Sequence, residues 1–197
     1  MDKIVIVTGI PGTGKTTVCG FAEKFAKDAG VQVNVINYGT VMMGILEKSG
    51  RSLRRDEMRK DSIDTQRILQ RQVAEAVAEK AKRLKGLTII DTHMSIKTPE
   101  GYFPGLSTNN LGILKPDVLV LVEAQSAEIS SRRMKDVSRK RDAALEASVK
   151  EELAFSRAIA GACAVFACVP VKVVVNAEGK PEEAAKEILR ALDVIKA

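Results

Sequence analysis

The chain has 197 residues, of which 45% are hydrophobic and 28% charged, with a formal net charge of +6. This length and composition exclude a disordered chain and suit one globular domain spanning 1–197 around a substantial core. No apolar run is long enough to span a bilayer, and no cleavable leader precedes the first strand, so a cytoplasmic protein without a membrane partner is expected.

Taken in order, Ile4 to Val7 reads as a buried strand. It runs into Gly9-Ile10-Pro11-Gly12-Thr13-Gly14-Lys15-Thr16-Thr17, which fits glycine, four free positions, then Gly-Lys-Thr. A helix from Thr16 to Ala29 follows, with Val18, Phe21, Ala22, Phe25 and Ala26 on one face and Gly30 placed to end it. Val31 to Ile36 alternates like a strand and leads into Asn37-Tyr38-Gly39-Thr40 and a short helix to about Lys48. Beyond the first basic segment, Asp61-Ser62 caps a long helix to Lys85 that turns Ile63, Leu69, Val73, Ala76, Val77 and Leu84 inward. Leu87 to Ile90 is a third strand ending on Asp91. The stretch from Thr92 to Ser107, with Pro99, Gly101, Pro104 and Gly105, reads as loop without regular structure. A short helix near Asn109 to Leu114, a fourth strand from Val118 to Val122 and a helix capped by Ser126 come next. A further helix from about Ala143 to Phe166, a fifth strand from Val171 to Val175 and a terminal helix opened by Pro181 complete the chain.

Strands alternating with helices imply a parallel sheet covered on both faces, with ligands beyond the carboxyl ends of the strands. The expected fold is therefore α/β, a three-layer α/β/α P-loop NTPase with a five-stranded parallel sheet. The glycine-rich loop supplies N–H groups and a helix N-terminus to phosphates. Lys15 adds a mobile charge for the outer phosphates, and Thr16 and Asp91 are the expected Mg²⁺ side chains. A nucleoside triphosphate is the expected ligand.

A GTPase is excluded, because no Asp-x-x-Gly or Asn-Lys-x-Asp follows the relevant strands. Two arginine-rich groups point instead to transfer between two phosphorylated substrates, whose mutual repulsion must be cancelled. Arg51, Arg54, Arg55, Arg59 and Lys60 form the first; Arg132, Arg133, Lys135, Arg139, Lys140 and Arg141 form the second. The sole histidine, His93, either touches a phosphate or holds its loop by a hydrogen bond. Cys19, Cys163 and Cys168 are expected to be buried free thiols.

The phosphate loop, Asn37-Tyr38-Gly39-Thr40-Val41-Met42, Arg55-Asp56-Glu57-Met58-Arg59-Lys60, Asp91-Thr92-His93, Lys97-Thr98-Pro99-Glu100-Gly101-Tyr102 and Pro104-Gly105-Leu106 together resemble the archaeal type of adenylate kinase. Arg132-Arg133, Asp136, Arg139, Arg141-Asp142 and Val171 to Asn176 extend the resemblance over nearly the whole chain. It implies reversible, Mg²⁺-dependent transfer from ATP to AMP, giving two ADP. It also implies a small helical AMP-binding insert at about 37–62, a short lid at about 132–142, and a homotrimer. On the resemblance, Gly9, Ile10, Pro11, Gly12, Thr13, Gly14, Lys15, Thr16 and Thr17 hold ATP, with Asn176 and Ala177 bordering its adenine. Thr40, Arg59, Lys97 and Thr98 belong to AMP, and Lys15, Arg132, Arg133, Arg139 and Arg141 to catalysis.

Two alternatives stand beside this expectation. One is a kinase for UMP, CMP or another small substrate. The other is an ATP-operated RNA- or ribosome-binding switch, which the net charge favours. An aromatic content of 4% and the absence of Trp argue against a surface that stacks nucleic-acid bases.

Overall fold

The computed structural model describes residues 2–50, 62–98, 100–135 and 146–196. Its strands are β1 (Lys3–Thr8), β2 (Val33–Asn37), β3 (Leu87–Asp91), β4 (Ser95–Thr98), β5 (Gly101–Pro104), β6 (Val118–Glu123) and β7 (Val171–Val175). The described helices are α1 (Lys15–Asp28), α2 (Tyr38–Lys48), α3 (Ile63–Lys82), α4 (Thr108–Leu114), α5 (Ser126–Lys135), α6 (Glu146–Ala167) and α7 (Pro181–Ala191). Five strands pair in parallel in the spatial order β2-β3-β1-β6-β7.

Alternation along the strands builds two cores, one on each sheet face. Ile6, Ile36, Ile90, Leu119 and Leu121 point to one side, under Leu46 of α2, Leu69 and Val73 of α3, Leu114 of α4 and Cys163 of α6. Val5, Val7, Ile89, Val120, Val122 and Val174 point to the other, under Val18 and Ala22 of α1 and Ile188 and Leu189 of α7. The central strands are buried on both faces, so their sequences read as unbroken apolar runs. Each buried Val, Leu or Ile contributes about 1.5–3 kcal/mol. The result is the expected three-layer α/β/α arrangement.

Register decides where the chemistry gathers. Val7 and Asn37 both lie level with Asp91, on the strands flanking β3. The carboxyl end of β3 therefore faces the loop leaving β1 and the helix leaving β2. That helix is started by Asn37, whose Oδ1 accepts the Thr40 N–H at 2.9 Å. Ser62 and Ser107 cap α3 and α4 in the same way.

The structure departs from the sequence reading at four places. The supposed loop from Thr92 to Ser107 contains an antiparallel hairpin, β4 paired with β5. Its strands are only four residues long, too short for alternation to register. Tyr102 anchors it by stacking on Phe155 of α6, with ring centroids 4.2 Å apart. Ile63 is 41% exposed, because it begins α3 before the helix reaches the core. Cys168 is exposed, at positive φ just past the end of α6, and is not one of the buried thiols. β2 begins at Val33 and α3 ends at Lys82, each inside the expected bounds. The expected insert and lid fall partly outside the described residues, as do Arg59, Arg139 and Arg141.

Candidate active site

The loop between β1 and α1 wraps Lys15, which is 7% exposed. Gly9, Gly12 and Gly14 all have positive φ. Five successive loop carbonyls each meet a protein donor. His93 Nδ1 donates to Gly9 O at 2.9 Å, which fixes the proton on that nitrogen because a carbonyl only accepts. Thr13 donates to Ile10 O through its N–H at 3.3 Å and its hydroxyl at 3.0 Å. Arg133 Nε donates to Pro11 O at 2.9 Å, and Asn176 Nδ2 to Thr13 O at 2.8 Å. Arg132 Nη1 makes a longer approach to Gly12 O at 3.5 Å.

This matters because a trans peptide points its N–H opposite to its C=O. Donors that hold the oxygens also aim the following N–H groups away from those donors. A loop held by its carbonyls is preorganised to receive an anion through its N–H groups. His93 thus ties the stretch after β3 to the phosphate loop.

Asp91, 3% exposed, organises the floor of the site. Its Oδ1 lies 3.1 Å from Lys15 Nζ. Its Oδ2 accepts from Thr16 Oγ1 and from Asn37 Nδ2, each at 2.9 Å. Buried beside Asp91 is Cys19, one turn into α1, whose thiol is pushed up to about 12, chiefly by burial and then by the Asp91 charge. That thiol stays protonated at neutral pH and is no nucleophile.

The arginines of α5 have separate settings. Arg132 Nε donates to Glu178 at 2.8 Å, and its Nη2 lies 3.5 Å from both Glu128 and the Asn176 carbonyl, at the lip of the loop. Arg133 is buried, and its fork is closed on Glu152 of α6 by bonds of 3.2 and 2.7 Å. The sequence reading placed both among phosphate-touching arginines; the structure occupies Arg133 with Glu152 and Pro11. Asn176 sits against the loop: a Cβ on Gly14 would collide with its amide nitrogen. Among the described residues the buried Asn176 Oδ1 meets no donor.

The acceptor-side residues are less concentrated. The Thr40 hydroxyl bonds Asn37 Oδ1 at 3.1 Å, one residue removed from Asp91. Lys97 reaches Ser148 of α6 at 3.3 Å, and Thr98 closes the hairpin turn on Gly101 O at 3.0 Å. None of the described bonds joins either to the phosphate loop. Sequence reasoning missed Asn37 as the second donor to Asp91 and Glu152 as the partner of Arg133. An Asn between a strand and a helix does signal a cap, and so marks the first of these. Nothing in the sequence marks the second.

Residues 8–150 match a family model described as an AAA domain. An adenylate kinase of Saccharolobus solfataricus is 44% identical over 193 residues, covering 96% of this chain and 99% of that protein. The chain belongs to the adenylate kinase family. Another member, from Methanocaldococcus jannaschii, is 37% identical and covers 97% of this chain and 98% of its own. Solved structures share the fold at low identity. A tunicamycin resistance protein of Deinococcus radiodurans matches with a TM-score of 0.61 at 13% identity, covering 98% of this chain and 96% of that one. A shikimate kinase of Acinetobacter baumannii matches with a TM-score of 0.56 at 15% identity, over 98% and 94%. The family supplies what the fold neighbours cannot, because kinases of many substrates share this architecture. Among the described residues, no helix is long and apolar enough to cross a membrane.

Proposed function

We propose that this member of the family moves the terminal phosphoryl group of MgATP onto AMP, reversibly, giving two ADP. The carrying observation is that Lys15 and Thr16, at the mouth of an anchored glycine loop, meet the two oxygens of one buried carboxylate. That donor set fits the cofactor: Thr16 hydroxyl and Asp91 carboxylate are hard oxygens of the kind Mg²⁺ takes, directly or through water. When bound there, the ion neutralises charge on the outer phosphates. Lys15, released from Asp91, supplies the mobile cation to the same oxygens. The loop N–H groups orient the chain of phosphates and exclude water from it. Asn176 and Ala177 border the adenine, and Arg132, whose Nη2 lies 3.5 Å from the Asn176 carbonyl, is assigned to catalysis on the family resemblance.

Thr40 stands on the acceptor side, tied through Asn37 to Asp91, and Arg59 is assigned to the AMP phosphate by the family resemblance. Lys97 and Thr98 are assigned to the same side on that ground, as Arg139 and Arg141 are to the donor phosphates. A phosphate acceptor that is already a dianion needs no general base; it needs cations and dry surroundings. We also assign a homotrimer of the 21.3 kDa chain, consistent with exposed Val165 and Phe166 on α6 and exposed Val173 and Val175 on the edge strand β7. A cytoplasmic location follows the family.

The deciding experiment is a coupled assay of ATP with AMP, UMP, CMP or GMP, each with and without Mg²⁺. Fast turnover with AMP alone, dependent on Mg²⁺, is the expected result. Preference for UMP or CMP rejects the acceptor assignment. Tight, salt-sensitive RNA binding with no turnover of any monophosphate rejects the enzyme. Light scattering reads the assembly directly.

A further inference from the structure

Arg133 and Glu152 form a buried, two-pronged ion pair, with side chains 6% and 10% exposed. It lies against the phosphate loop. The third nitrogen of the same guanidinium, Nε, holds Pro11 O, so three of its donors are fixed on three acceptors in one plane. The arginine stem runs directly under Gly12. A Cβ there, at φ +94°, would lie 3.2 Å from Arg133 Cγ and 3.1 Å from Ile129 Cγ2, so a side chain would be strained by the backbone and tight against both neighbours. Arg133 comes from α5 and Glu152 from α6, so the pair ties two helices to one peptide of the loop.

We propose that Glu152 is a positioning residue for phosphoryl transfer. It neutralises Arg133 and holds it on the carbonyl of Pro11, so that the Gly12 N–H is aimed at the phosphates and Arg133 stays off them. The inference rests on the proposed function and refines which arginines face the substrate. Its logic is electrostatic. An unpaired guanidinium this close to the loop would move onto the polyanion, binding the ground state and releasing the Pro11 carbonyl. A carboxylate alone at the same distance would repel the polyanion. Only the closed pair fixes the peptide without adding net charge beside the phosphates.

The test uses the full chain and two readouts besides turnover: calorimetric affinity for MgATP and melting temperature. Glu152→Gln keeps the shape and removes the negative charge. Its kcat is expected to fall about 10- to 100-fold, the scale of a small misplacement of a reacting group. MgATP is expected to bind about fivefold more tightly through the freed guanidinium, with KM for AMP unchanged. Glu152→Asp restores the charge and is expected to return MgATP affinity to the wild-type value. Should Glu152→Gln not fold, the paired change Arg133→Met with Glu152→Leu fills the same volume. It is expected to lower kcat similarly without tightening MgATP. A Glu152→Gln protein that melts earlier yet keeps kcat and MgATP affinity within twofold overturns the proposal, since the pair would then be only a brace. So does weaker MgATP binding, and so does unchanged kcat in the double variant. The affinity measurement stands even if wild-type protein fails to phosphorylate AMP, so the two readings fail separately.

Discussion

Lys15 and Asp91 form an ion pair of 3.1 Å in which both side chains are almost wholly hidden from water. No other charged partner of either is described, and on the proposed function these are two groups the reaction needs apart. On the proposed function, an incoming triphosphate would draw the ammonium to its own oxygens and leave the carboxylate for the metal side. Lys15→Ala is therefore expected to lower kcat at least about 100-fold, since placed charge supplies most of the acceleration in this chemistry. It should also destabilise the fold by up to about 3–5 kcal/mol, because Asp91 is left buried and uncompensated. Steady-state kinetics beside a urea titration separates the two effects. Retention of more than a tenth of wild-type turnover by a folded variant contradicts the role of Lys15.

Asp91→Asn tests the other half. The amide keeps the size of the side chain but turns one oxygen into a donor, facing the Lys15 ammonium or the Thr16 and Asn37 donors. The Mg²⁺ concentration for half-maximal activity is expected to rise about tenfold or more, with kcat reduced. An Mg²⁺ titration curve that overlays the wild type removes Asp91 from the metal side.

Gly86 offers a stability prediction remote from the site. It turns the chain from α3 into β3 with φ +82°, and a Cβ there would collide with the Gln32 carbonyl oxygen. Gly86→Ala combines left-handed strain of about 1–2 kcal/mol with that backbone clash. A total loss of about 2–4 kcal/mol, lowering Tm by about 5–10 °C, is expected in a thermal melt. Turnover at 25 °C should be unaffected, because no described contact links Gly86 to Asp91 beyond the strand itself.

Much of this molecule is legible in the sequence, and physics explains which parts are not. The five parallel strands are apolar on both faces, and continuous runs such as Val118 to Val122 announce that directly. The phosphate loop is legible because its function constrains backbone angles, which only particular residue types satisfy. The β4–β5 hairpin is hidden because its short strands are held to a helix far along the chain, by Tyr102 on Phe155 and Lys97 on Ser148. Glu152 was hidden for the same reason. A charge on a helix reads as solvated until the fold brings Arg133 onto it, and pairing across 19 residues leaves no periodic trace. Cys168 was misplaced because its apolar neighbours Val165 and Phe166 are themselves exposed.

The three thiols give the last prediction. Cys168 is exposed, while Cys19 and Cys163 are buried. One equivalent of a thiol reagent is expected to react with native protein at pH 8, lost in Cys168→Ser, and the other two only on unfolding. Cys19 also couples folding to alkaline pH. Its thiol is raised from 9.0 to about 12 in the folded chain, so between those values the unfolded chain gives up a proton the folded chain keeps. Stability contributed by the neutral thiol is complete below pH 9 and lost as pH climbs, at about 1 kcal/mol per pH unit. Tyr38, likewise raised by burial from 10.0, steepens the loss from that pH upward. Urea unfolding at pH 8, 9.5 and 10.5 with a reductant present should show this decline, and Cys19→Ala should flatten its first part. Parallel curves for the two proteins mean the folded thiol ionises no later than a free one, contrary to its burial beside Asp91.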